Sequence, residues 1–135
     1  MSVLEGRRVK HTPDKITDLP SDHIFVFGSN RAGRHGRGAA KLAHQKFGAR
    51  YGIGDGFSGR SYGIPTKGRK LEVLSLGEIA VAVHRFLRFA CKNEHLTFVV
   101  TKIGCGLAGL REKDIAPMFT GAPSNVVLPE GWGNE

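Results

Sequence analysis

Cysteine is scarce in this chain: Cys91 and Cys105 are the only two. They form neither a CxxC pair nor a four-ligand zinc set, which sets aside a disulfide scaffold and a zinc module. Both read as free thiols in a reducing compartment. No apolar run approaches the ~20 residues of a membrane span. The opening MSVLEGRRVK lacks the apolar core of a signal peptide, so the expected location is cytoplasmic. No GxxxxGK[ST] occurs, which argues against a P-loop kinase or ATPase. The other histidines, His11, His23, His44, His84 and His95, are scattered, so neither a metal nor a cofactor is expected. Acidic residues are few as well, 12 against 20 lysines and arginines, for a formal charge of +8. Such a surplus favours an anionic partner, either a phosphorylated small molecule or nucleic acid.

Glycine is what the chain has in plenty, 19 of 135 residues, about twice the average usage. The excess clusters in three loops, so it reflects local backbone chemistry and not a low-complexity tract. A chain of this length reads as one domain, residues 1–135, able to bury roughly two-thirds of its unfolded surface. Residues 1–20 read as an arm or edge strand and residues 130–135 as a short tail.

Apolar patterning predicts a strand over Ile24–Phe27, a helix over Gly38–Phe47 stopped at Gly48, and a glycine-rich loop to Arg60. A strand over Arg60–Pro65 follows. The clearest helix is Ser75–Lys92, with an apolar stripe of Leu76, Ile79, Ala80, Val83, Phe86, Leu87 and Ala90 and a capping box in Ser75 and Glu78. Leu96–Ile103 reads as a buried strand, Arg111–Phe119 as a short helix and Asn125–Leu128 as a last strand. Strands alternating with helices imply an α/β fold, a three-layer α/β/α sandwich around a mixed, mainly parallel sheet. In such sheets ligands sit at the carboxyl ends of the strands.

Two predicted strands each end in a glycine loop that leads toward a helix. The first loop, Gly28–Gly38, carries Gly33 and Gly36 with Arg31, Arg34, His35 and Arg37; the second is Gly104–Gly109, "GCGLAG". Backbone amides at a helix start make an anion site, and two such loops on one rim would suit a pyrophosphate. Lys67 and Lys102 close strands from which they could reach phosphate. Gly104, Gly106 and Gly109 also satisfy GxGxxG, but Gly54, Gly56 and Gly59 do so too, and too little chain follows the former for a Rossmann dehydrogenase.

"DKITDLPSDHIFVFGSN", "GRHGRGAAKLAH" and "TKIGCGLAGL", in that order, resemble the macro domain superfamily, the ADP-ribose-binding modules. The first is similar to that family's opening turn and strand, the other two to its phosphate loops. The resemblance implies a macro-like domain that binds ADP-ribose or a related nucleotide diphosphate, with hydrolysis of ADP-ribosyl linkages as a further activity. ADP-ribosylated macromolecules are then partners. It places Gly28, Ser29, Asn30, Gly33, Gly36, Arg37 and Gly38 at the ligand from the first loop. Gly104, Cys105, Gly106, Leu107, Ala108 and Gly109 contribute from the second. Asn30 corresponds to the asparagine on the distal ribose. The sequence departs from the family at three places. The acid that reads adenine aligns near Lys15, with Asp14 one place off; Arg37 stands where hydrolytic members carry aspartate; Leu107 replaces an aromatic residue. For hydrolysis the candidates are Asn30 to place a water and His35 or Asp55 to move a proton. The alternative is a basic nucleic-acid-binding module without catalysis.

Overall fold

Four apolar residues at the centre of strand β1 (His23–Asn30) divide between two cores. Successive side chains of a strand point to opposite faces. Accordingly Ile24 and Val26 join one buried cluster, whereas Phe25 and Phe27 join another. All four are at most 2% exposed, which is why the run reads as continuously apolar and does not alternate. The computed structural model describes residues 10–133; the first nine residues of the predicted arm and the last two of the tail lie outside them.

The remaining strands are β2 (Gly56–Ser58), β3 (Ser61–Lys67), β4 (Thr97–Val100) and β5 (Val126–Val127), in the spatial order β2-β3-β1-β4-β5. Strands β3, β1, β4 and β5 run parallel, and β2 pairs antiparallel with β3. The protein is therefore α/β with a five-stranded, mostly parallel mixed sheet. Strand β2 is a correction to the predicted loop. Only Phe57 is apolar there, and the pairing depends on β3 through a tight turn in which Ser61 Oγ donates to the Ser58 carbonyl at 2.5 Å.

Helix α1 (Gly38–Lys46) buries Ala40 and Ala43. The Phe47 amide closes the helix on the Ala43 carbonyl at 2.9 Å, and its ring stacks on Phe25 at 4.7 Å. Helix α2 (Leu76–Cys91) starts with the predicted capping box. Ser75 Oγ accepts the Glu78 amide, and Glu78 Oε1 accepts the Ser75 amide, each at 3.1 Å. Its buried stripe is Ile79, Ala82, Val83, Phe86 and Ala90. Leu76, expected in the stripe, is 41% exposed because it sits in the first turn, ahead of the sheet contact. Phe86 meets Tyr62 and Phe98 edge-on at 5.0 and 5.5 Å, and burying such a ring contributes about 1.5–3 kcal/mol.

Three predicted elements shrink, the last strand from Asn125–Leu128 to Val126–Val127 among them. The strand over Leu96–Ile103 is only Thr97–Val100: the Thr101 amide makes the last bond to β1, on the Val26 carbonyl at 3.1 Å, and the Ile103 amide then folds back on the Thr101 carbonyl at 2.8 Å. The helix over Arg111–Phe119 is one turn, α3 (Glu112–Ile115), tightening into a 3-10 turn over Ala116–Phe119 where Pro117 sits. The tail, by contrast, is anchored. Trp132 is 2% exposed, lies against Phe119, and donates from Nε1 to Glu112 Oε1 at 3.0 Å. The arm is anchored at Thr12, whose amide and hydroxyl donate to the carbonyls of Leu128 and Val127 at 2.8 and 3.1 Å.

Between β3 and α2 the chain folds back on itself, with Lys67 bridged to Val73 and the Gly68 amide on the Glu72 carbonyl at 2.8 Å. Leu71 closes this turn at φ +64°, the one non-glycine residue at positive φ among those described. That conformation costs an ordinary side chain about 1–2 kcal/mol. No helix among the described residues is long and apolar enough to cross a membrane.

Candidate functional site

Because β1, β3 and β4 run parallel, their carboxyl ends open on one rim, and a cleft of about 510 Å³ lies across it. Gly28, Ser29 and Asn30 line it from β1, Thr66 and Lys67 from β3, and Thr101 and Lys102 after β4. The first loop adds Arg34, Gly36, Arg37 and Gly38, and the second adds Gly104, Gly106, Leu107 and Ala108. A Cβ on Gly28 would stand 3.1 Å from the Gly104 amide nitrogen, so glycine at position 28 lets the two loops meet.

The first loop is braced from within. Asn30 Nδ2 donates to the Arg34 carbonyl at 2.9 Å while its Oδ1 accepts the Arg34 amide at 3.0 Å. Ser29 Oγ donates to the Gly54 carbonyl. Gly33, at φ +70°, packs directly on the Gly52–Ile53 backbone; it supports the loop and does not line the cleft. Arg37 occupies the N-cap of α1 without a side-chain cap bond. The initial amides of a nine-residue helix therefore face the cleft uncapped by that side chain, an arrangement suited to an anion.

His35 and Asp55 are not in the cleft. His35 is wholly buried behind the loop, where Nε2 donates to the Arg50 carbonyl at 2.8 Å and the ring packs on Phe27 and Tyr51. Its Nδ1 has no hydrogen-bond partner among the described residues. Asp55 is ion-paired with Arg85 on α2 at 2.5 Å. Both were expected to move protons at the ligand. The backbone instead turns His35 inward, with glycines at 33 and 36 on either side, and the charge on α2 holds Asp55 away.

The second loop is open. Gly104 takes φ +76°, but a Cβ on Gly106 or Gly109 would meet nothing within 4 Å. Gly109 and Cys105, expected at the ligand, do not line the cleft. The Cys105 thiol is half-buried and contacts the Ile103 carbonyl at 3.4 Å. Burial pushes its pKa up, the Glu112 carboxylate adds to this, and Lys102 opposes it. The helix dipole expected behind this loop is missing, since α3 is a single turn that begins at Glu112. Its amides alone would have to serve an anion.

The charge of the cleft has one sign. Arg34, Arg37, Lys67 and Lys102 line it, and no carboxylate or histidine does so among the described residues. Lys102 also reaches Glu112 Oε2 at 3.4 Å. A hydrogen bond from Trp132 holds the Glu112 carboxyl below the usual glutamate range, and Lys102 acts in the same direction.

A smaller hollow of about 240 Å³ adjoins the cleft and shares Ala39, Thr101 and Lys102 with it. Its lining is mainly apolar, from Pro13, Ile16, Phe25, Leu42 and Pro129, with Thr12 and Asp14. Asp14 reaches it; Lys15 does not. Sequence reasoning missed most of this hollow, and it missed Thr66, Leu71, Thr101 and Ile103 in the cleft. Thr66 and Thr101 could have been found as residues closing parallel strands. Leu71 and Pro129 carry no local signal.

No protein-family model matches the chain, and neither a curated protein nor a solved structure matches it. Fold and site together define a class: an α/β protein with a cationic, glycine-walled cleft across the carboxyl rim of a mostly parallel sheet.

Proposed function

We propose that this protein is a macro-like binding domain, a three-layer α/β/α sandwich of the cytoplasm, that holds ADP-ribose or a related nucleoside diphosphate. The observation that carries the reading is the joining of an apolar hollow to a cationic cleft. The hollow has mainly apolar walls and one acidic residue, Asp14, at its lining, a set suited to a base with an exocyclic amine. The adjoining amides of α1 and the second loop suit a diphosphate, and Asn30 lies beyond them at the end of β1. The amide donors and four cations supply what two phosphates need. Binding is the better supported part of the reading, because among the described residues no carboxylate or histidine lines the cleft to move a proton. A hydrolytic step would rest on Asn30 and a water placed by the ligand's own phosphates.

Calorimetry with ADP-ribose, ADP, NAD and a short single-stranded oligonucleotide, each at low and high salt, tests the proposal. ADP-ribose is expected to bind near micromolar strength with modest salt dependence. Gly106→Glu, which places a carboxylate in open space at the cleft, should abolish binding without lowering the melting temperature. No heat and no thermal shift with any nucleotide would overturn the reading. Tight oligonucleotide binding that collapses with salt would favour the nucleic-acid module instead.

A further inference from the structure

The positive charge of the chain is unevenly placed. From His23 to Gly54 there are six lysines and arginines and no aspartate or glutamate. Of these six, Arg31 is met by Glu78, just as Arg85 and Lys102 elsewhere are met by Asp55 and Glu112. Arg37, Lys41 and Arg50 are exposed and meet no carboxylate among the described residues. Helix α1 sorts its residues by flank. Ala40 and Ala43 face the core, and Ala39 and Leu42 line the hollow. Arg37 at the N-cap, Lys41 one turn on and His44 in the turn after share a third flank, as residues three and four apart do. This ridge begins at the cleft, where Arg37 lines the wall, and runs away from it.

A pair of rings stands at the far end of the ridge. Tyr51 meets His44 at 4.4 Å between centroids and the buried His35 at 5.4 Å. The Arg50 carbonyl accepts from His35 Nε2, and the Arg50 amide donates to Ser58 Oγ at 3.0 Å, so the backbone leading into Tyr51 is held. Tyr51 itself is 58% exposed. A ring already held in place loses little freedom when a flat partner stacks on it. Cations without acids call for a polyanion, and the ring selects among polyanions. A run of acidic side chains offers it no flat group. A nucleic-acid strand whose bases are unpaired offers a base with every phosphate.

We propose that the α1 ridge, from Arg37 through Lys41 to Tyr51, is a docking surface for single-stranded nucleic acid, with phosphates on Arg37, Lys41 and Arg50 and a base on Tyr51. Apart from Arg37 the surface lies outside the cleft and the hollow, and it does not depend on what they hold. Fluorescence anisotropy with a labelled twelve-nucleotide oligothymidylate tests it, because thymine lacks the exocyclic amine that would suit the hollow. The parent protein should bind at roughly micromolar strength at low salt. Its log Kd should rise with log salt at a slope of about 2, as for three phosphates of a single strand. Lys41→Gln should remove about 0.7 of that slope. Tyr51→Ala should weaken binding roughly tenfold, and Tyr51→Phe should retain it. Neither Lys41 nor Tyr51 lines the cleft or the hollow, so ADP-ribose affinity should stay within twofold in all three variants, and saturating ADP-ribose should leave most of the oligonucleotide bound. No binding at low salt would overturn the proposal, and so would unchanged binding in both Lys41→Gln and Tyr51→Ala. Full displacement by ADP-ribose would put the strand in the cleft and overturn the ridge. Competition by polyglutamate as strong as by unlabelled oligonucleotide would make the ridge a surface for acidic protein and overturn it too. If Tyr51→Ala loses its melting transition, the salt slope of Lys41→Gln decides alone. If ADP-ribose does not bind at all, the cleft reading fails while the variants still decide for or against the ridge.

Discussion

The two glycine loops look alike as strings of letters and are built on opposite plans. The first is packed shut: Asn30 closes on Arg34 twice, Ser29 ties to Gly54, Gly33 lies on the Gly52–Ile53 backbone, and His35 is buried beneath. The second has room around Gly106 and Gly109 and leads into a helix of one turn. Gly33 serves close packing in the first loop, whereas Gly106 stands in open space in the second. The same residue type therefore predicts different mutational behaviour in the two loops.

The largest effect is expected at Gly54, outside both loops but bracing the first. A Cβ there would land on the Asn30 carbonyl, and the neighbour is backbone that cannot swing away. Gly54→Ala should lose more than about 3 kcal/mol in denaturant unfolding, above the usual cost of overpacking. Asn30→Ala comes next: it removes both bonds to Arg34 and should cost about 1–2 kcal/mol. Ligand affinity should fall more than stability, and calorimetry and thermal melts would separate the two. Gly106→Ala, with open space around it, should stay within about 0.5 kcal/mol of the parent in the same unfolding assay. If Gly106→Ala unfolds as readily as Gly54→Ala, the contrast between the loops is wrong.

The smallest effect concerns acid. Glu112 and Glu78 are both held below their ordinary value of 4.5, the first by Trp132 and the second by the Ser75 backbone amide. A carboxyl lowered in the folded state contributes stability above its unfolded pKa and loses it as pH falls through the folded value. Melting temperature should therefore hold at mildly acidic pH and begin to decline only below that ordinary value. Glu112→Gln should shrink the decline, and an unchanged acid profile in that variant would remove the Trp132–Glu112–Lys102 connection from the account of the second loop.

Much of the frame is legible in the sequence, for a physical reason. Ile24–Phe27 reads as a doubly covered strand because four consecutive apolar residues suit nothing else so short, and Ser75 with Glu78 announces a helix through a local cap. What escaped depends on partners distant in the chain. β2 pairs against β3, Trp132 is held by Phe119 and Glu112, and the hollow forms where the arm at Thr12 comes beside β1, α1 and the residues after β5. His35 lies inward because its ring packs among Phe27, His44 and Tyr51 and bonds the Arg50 carbonyl, partners that a glycine-flanked loop residue does not announce in sequence. Leu71 left no trace, since a strained φ has no sequence pattern when the residue is not glycine.

Trp132 is the sole tryptophan of the chain, and this makes the molecule its own optical probe. The indole donates to one oxygen of Glu112, whose other oxygen holds Lys102, and Lys102 borders both the cleft and the hollow. An anion that draws the Lys102 ammonium toward itself changes the field beside the indole without touching it. Excitation of the unlabelled protein at the red edge of aromatic absorption then reports occupancy of the rim through one emitter, with no dye and no engineered label.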